Sequence, residues 1–128
     1  MDEKEIRGWV RAAQDDFNAT QFLLDEDPVR SEVVCFHAEQ AAEKMLKAYL
    51  VMHRIPVPPV QDCQALLQLC ATFDPDISVL EEAAARLGGY QEFDQGWGIV
   101  EITQEELESV LSSSEKILDY LEPKLQDR

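Results

Sequence analysis

Positive charge is scarce in this chain. Of 128 residues, 11 are Lys or Arg against 26 Asp or Glu, a formal net charge of −15 with histidine neutral. That balance excludes tight, non-specific nucleic-acid binding over the whole surface, because such binding runs on Lys and Arg contacts to phosphate. Histidine occurs only at His37 and His53. Val34 and Leu50 stand three residues before them, so the Glu-x-x-His pairs of di-metal carboxylate bundles are missing. Cys35, Cys63 and Cys70 are odd in number and show no CxxC or CxxH spacing. They argue against zinc or a disulfide framework and for reduced, buried thiols. No metal and no other cofactor is expected. There is no Gly-x-Ser-x-Gly elbow, and Gly96-Trp97-Gly98 lacks the strand-to-helix setting of a phosphate loop. No apolar run approaches the roughly 18–20 residues of a membrane span. The start, MDEKEIRG, is too acidic for a signal peptide. The expectation is a soluble, cytoplasmic protein.

What is present is helical period. The length suits one domain, residues 1–128. The longest pattern covers residues 33–54, without Gly or Pro, where Val34, Ala38, Ala41, Met45, Ala48 and Met52 follow a 4-3-4-3-4 spacing. Cys35, Ala42, Leu46 and Tyr49 widen that line, so at least two other helices must cover it. Ile6, Val10, Ala13, Phe17, Thr20 and Leu24 mark an earlier helix over 3–25. Asp27-Pro28 is a cap-and-start signal for the next helix, and Pro56, Pro58 and Pro59 end the central one. Asp62 or Gln61 opens a short helix with Leu66, Leu67, Cys70 and Phe73. Asp74-Pro75 opens another with Ile77, Leu80, Ala84 and Leu87, closed by Gly88-Gly89. Thr103 and Glu106 form a capping box before a last helix with Leu107, Val110, Leu111, Ser114, Leu118, Leu121 and Leu125 inward. A very short strand at 99–102 would have no partner. The fold class is all-α, a four- to five-helix up-and-down bundle whose short connections favour antiparallel neighbours.

Charge is uneven along this bundle. Residues 1–28 hold 8 acids and 3 bases, residues 88–128 hold 10 and 3, but residues 29–54 hold 3 acids and 4 bases. On the central helix His37, Gln40, Lys44 and Lys47 step by 3 and 4 beside the apolar line, with the remaining acids placed on outer faces. Imidazole, amide and two ammonium groups in a row suit the phosphate and base edges of a nucleotide, or a partner's carboxylates. The plainer reading is a solvated flank with Glu43 and Lys47 as an i,i+4 pair. Tyr90, Phe93 and Trp97 lie in a glycine-containing loop over 88–98. They could stack on a base, plug the end of the bundle, or meet a second copy.

Phe36–Leu50, FHAEQAAEKMLKAYL, resembles the second-helix signature of prokaryotic HEPN domains through Phe36, His37, Ala38, Gln40, Ala41, Glu43, Lys44, Leu46, Lys47 and Ala48. The surroundings are similar over nearly the whole chain. The resemblance implies a HEPN-like bundle that dimerises and is associated with nucleotide or RNA binding. Many such proteins are metal-independent ribonucleases, and many accompany a minimal nucleotidyltransferase in a toxin–antitoxin pair. Nuclease members carry Arg-x(4–6)-His near the start of a late helix, whereas this chain has no histidine beyond residue 53. Where relatives often have Arg before Tyr-Pro, this loop has Asp94. Three functions follow as expectations. The first is a homodimeric binding module for a nucleotide, RNA or a nucleotidyltransferase-like partner, using His37, Gln40, Lys44, Lys47, Tyr90 and Asp94. The second is an endoribonuclease toxin built on Arg30 and His37, which satisfy the bare Arg-x6-His spacing. The third is an acidic interaction protein with no ligand site.

Overall fold

The computed structural model describes residues 2–59, 62–88 and 101–126. Helix α1 spans Glu3–Leu24, α2 Ser31–Met52, α3 Cys63–Cys70, α4 Glu81–Arg86 and α5 Gln104–Gln126, with a 3-10 segment at Pro75–Leu80 leading into α4. The architecture is an all-α HEPN-like bundle, and among the described residues no strand forms. Glu101 and Ile102 are unpaired, while 99–100 lie outside the described residues.

Helix α2 is the central rod, packed against α1, α3 and α5. Twelve of its 22 residues are buried. Val34, Ala38, Ala41, Met45 and Ala48 of the expected line are buried, as are Cys35, Ala42, Leu46 and Tyr49, while Met52 is half-buried. Four alanines on this helix let neighbouring backbones approach closely. Truncating a fully buried residue such as Leu46 to Ala should cost about 2–5 kcal/mol through lost contacts and a residual cavity.

Local chemistry sets most helix ends. The Asp2 carboxylate accepts from the Glu5 N–H at 3.1 Å, and the Asp62 carboxylate from the Ala65 N–H at 2.8 Å. The Thr103 hydroxyl accepts from the Glu106 N–H at 3.0 Å. The start of α2 departs from expectation. Asp27 does not cap it and Pro28 is not its first residue; the Arg30 carbonyl opens the helix, accepting from Val33 and Val34. Residues 25–30 are consumed in reversing the chain between two antiparallel helices, a geometric need that the cap signal does not report. The end of α2 comes before the prolines act. Ile55 N–H reaches Leu50 O at 2.9 Å and Arg54 N–H reaches Val51 O at 3.0 Å, with Arg54 at φ 60°. That is a Schellman stop with arginine where glycine is favoured.

Helix directions are less simple than short connections suggest. Helices α1 and α2 are antiparallel, with Asp16 facing His37 and Lys44, and Trp9 facing Lys47. The extended stretch after α2 then carries the chain back along the rod. Cys63 Sγ donates to Glu39 O and Cys70 Sγ to Leu46 O, so α3 runs in the same sense as α2. The 3-10 segment and α4 return the chain. Helix α5 again runs with α2: buried Ser114 donates to Ala38 O at 2.8 Å, while Tyr120 meets Tyr49 across Asp74. All seven residues expected on the inward face of α5 are buried or half-buried there, and Ser113 and Ile117 join them.

Candidate functional site

The polar row of α2 lies along its seam with α1, where the row divides into separate contacts. Asp16 is the facing group. Its Oδ1 is 2.9 Å from His37 Nδ1 and its Oδ2 is 2.5 Å from Lys44 Nζ. Residues 37 and 44 are seven apart, two helical turns on one line, so one carboxylate on an antiparallel neighbour spans both. The side chains of His37, Lys44 and Asp16 are 29 %, 27 % and 13 % exposed, leaving the cluster open on one edge. Because the carboxylate accepts, His37 Nδ1 must carry the hydrogen. In a neutral ring Nε2 is then left as an acceptor or base.

Lys47 does not join that cluster. Its ammonium sits 5.2 Å from the centroid of the Trp9 ring, two turns from Asp16 on α1. Gln40 donates to Glu43 Oε2 at 3.3 Å. Arg30 is the exposed N-cap residue of α2, and the His37 ring donates to Asp16 on α1 instead. Tyr90 and Asp94, the remaining expected binding residues, lie outside the described residues.

The expectation that the acids occupy outer faces fails on α2, where Glu39 and Glu43 are buried beside α3. Glu43 is 3 % exposed and its Oε1 has no hydrogen-bond partner. Burial pushes its pKa up to about 7 against the pull of Lys47, and the charge of Asp62 adds to the rise. The i,i+4 pair with Lys47 is not formed, because Trp9 takes the ammonium instead. The three cysteines are free and buried. Burial raises the Cys35 and Cys70 thiols to about 12, and the Cys63 thiol well above its ordinary value with help from Glu43 and Glu39. Such thiols are poor nucleophiles.

Sequence reasoning missed a second carboxylate hub. The Asp74 Oδ2 accepts from Tyr49 Oη and Tyr120 Oη, each at 2.9 Å. Burial first, and Asp74 second, raise both phenols, Tyr49 well above its ordinary value and Tyr120 to about 12. His53 stacks on Phe73 at 3.9 Å between centroids, and burial lowers its pKa despite Asp74. In the sequence Asp74 before Pro75 looks like a helix cap, yet its side chain caps nothing. The available signal was a tyrosine near the core-facing edge of α2 and of α5, each needing an acceptor when desolvated.

Among the described residues no group of three His, Cys, Asp or Glu is placed to hold a metal ion. No described helix is long and apolar enough to cross a membrane. The signature carried by α2, set in this helix order, is matched by the family model for the HEPN domain over residues 6–124. The chain belongs to the HEPN family. Comparison with curated proteins and with solved structures gives no match. Membership agrees with the all-helical bundle and relates the chain broadly to nucleotide and RNA biology.

Proposed function

We propose that this HEPN domain is a homodimeric binding module whose α1–α2 seam takes a nucleotide-like ligand, or the nucleotidyltransferase half of a toxin–antitoxin-like pair. The observation that carries the reading is the convergence of His37 and Lys44 on Asp16 at a partly open edge. An anion reaching Lys44 competes with Asp16, while the second imidazole nitrogen accepts from a base edge. Lys47, one turn further, lends another positive charge. Residues 29–54 hold 4 bases against 3 acids within a −15 chain, which favours an anion along this stretch over the acidic segments on either side. Thermal unfolding with ATP, GTP and AMP tests the reading. A nucleotide at 100 times its dissociation constant adds about 2.7 kcal/mol of stability, and Lys44→Ala with Lys47→Ala removes the gain. No shift with any nucleotide, and no binding by a nucleotidyltransferase-like partner, would leave an acidic interaction protein without this site.

A second reading is favoured by the carboxylate-supported imidazole. An Nδ1–H held by Asp16 leaves Nε2 able to accept a ribose hydroxyl proton, with Arg30 supplying positive charge toward a phosphate. An RNA cleavage assay decides it: cleavage by the parent, lost in His37→Ala and reduced in Arg30→Ala, supports a ribonuclease. An inactive parent ends that reading.

A further inference from the structure

We infer that the outer face of α1 docks a helix of another protein, acidic where it crosses Gly8 and apolar where it reaches Phe22. Lys4, Arg7, Arg11, Gln14 and Asn18 step 3-4-3-4 along α1 and Phe22 follows four later, which puts all six on one side of the helix. All are exposed, on the side away from the buried Ile6, Ala13 and Thr20. The side chains of Lys4, Arg7 and Arg11 make no ion pair, hydrogen bond or ring contact among the described residues. Like charges at this spacing repel one another, and an anion from outside offsets that repulsion. Gly8 lies among them. Glycine is the least favoured helix residue after proline, and a β-carbon added at Gly8 would meet nothing within 4 Å. The chain's own packing therefore does not require it. The lining of a hollow of about 690 Å³ includes Gly8 with Lys4, Arg7, Arg11 and Asn18. A missing side chain at a crossing lets a second helix axis come close, where carboxylates at the same spacing meet the three bases.

The far end of the face is apolar. Asn18 also lines a groove of about 430 Å³ beside Phe22, so the two hollows adjoin. Phe22 is 82 % exposed, an aromatic ring free to anchor a protein interface. Charge along the face selects a protein over a nucleic-acid strand. The bases occupy residues 4–11, Asp15 follows, and Asp25, Glu26 and Asp27 stand just beyond Phe22, all exposed. A phosphodiester strand is anionic at every step and would be repelled along the second half. A protein helix can be acidic at one end and apolar at the other. Asp16 and Trp9, which serve the seam with α2, lie on the opposite side of α1.

Fluorescence anisotropy with the full chain and three labelled probes tests this. The first is an end-capped, alanine-based helix of about 20 residues, with glutamates spaced 4 and 3 at one end and leucines at the other. The second has the same composition with the glutamates spread round the helix, and the third is a uridine oligonucleotide. The matched helix should bind about tenfold more tightly than either of the others. Arg7→Glu with Arg11→Glu should weaken it about 30-fold and Phe22→Ser about tenfold. Gly8→Leu should weaken it about tenfold while raising the melting temperature, a combination that a purely structural role does not give. All four positions are exposed, so melting of each variant separates lost docking from lost folding. A matched helix bound no better than the rearranged one overturns the inference, as does a Gly8→Leu chain that binds it like the parent. Tighter binding of the oligonucleotide, lost in the double arginine variant, overturns the protein occupant. Sedimentation of the chain alone covers a second copy: self-association abolished by that same variant overturns the inference too. Each of these failures leaves the seam reading standing, since Arg7, Gly8 and Arg11 lie outside the seam.

Discussion

The two flanks of α2 handle carboxylates in opposite ways. Toward α1, Asp16 has two donors within hydrogen-bond distance, the Lys44 ammonium and the His37 Nδ1–H. Toward α3, Glu43 has only the neutral Gln40 amide at 3.3 Å and a bare buried oxygen. Helix α2 therefore faces a compensated acid of α1 across the seam and carries an under-compensated acid of its own in the core. An acid's behaviour in a bundle follows from which neighbour the tertiary fold supplies, because desolvation penalises the charged form unless a donor of opposite sign repays it.

The largest test of this contrast is Glu43→Gln. With the folded pKa raised to about 7 from 4.5, the native state holds its proton longer than the unfolded chain. Stability therefore declines as pH rises from about 4.5 to about 7, and the full penalty applies above that window. The amide should stabilise the protein at pH 8 by up to about 3 kcal/mol and change little at pH 4, as read by urea unfolding at both values. Equal effects at the two pH values would contradict the contrast. Asp16→Ala comes next and has the opposite sign: loss of the shared acceptor should destabilise by about 2 kcal/mol. Asp74 sharpens the comparison because its two donors are neutral phenols. Tyr120→Phe should cost only about 1 kcal/mol, since Tyr49 still satisfies the carboxylate; a loss matching that of Asp16→Ala would erase the distinction between charged and neutral donors. The smallest effect is expected at Lys47→Gln, about 0.5 kcal/mol for an accessible cation over an aromatic ring. A shift in Trp9 emission should accompany it.

Much of the fold could be read from residue spacing. Ile6 and Ala13, the α2 line from Val34 to Ala48, and Leu107 to Leu125 are buried as their helical period requires. Asp62 and Thr103 cap the helices that their side chains announce, and Asp2 caps α1. These rules act over three or four residues, and that range is also where they fail. Asp27-Pro28 and Asp74-Pro75 carry the same cap-like signal, but the first lies in a chain reversal and the second faces two distant tyrosines. The site was legible as a row and illegible as a set of partners. His37, Gln40, Lys44 and Lys47 do share an edge, yet Asp16 takes two of them, Trp9 one, and Glu43 the other.

What the sequence determined by itself is the helical, acidic character of this HEPN domain and the alignment of its polar row on one rod, since periodicity and charge are properties of neighbours along the chain. Tertiary structure alone decided which carboxylate meets that row, that Glu39 and Glu43 go inward, and that α3 and α5 run with α2. Those outcomes depend on groups tens of residues apart being desolvated together, and no local spacing records which of them will meet.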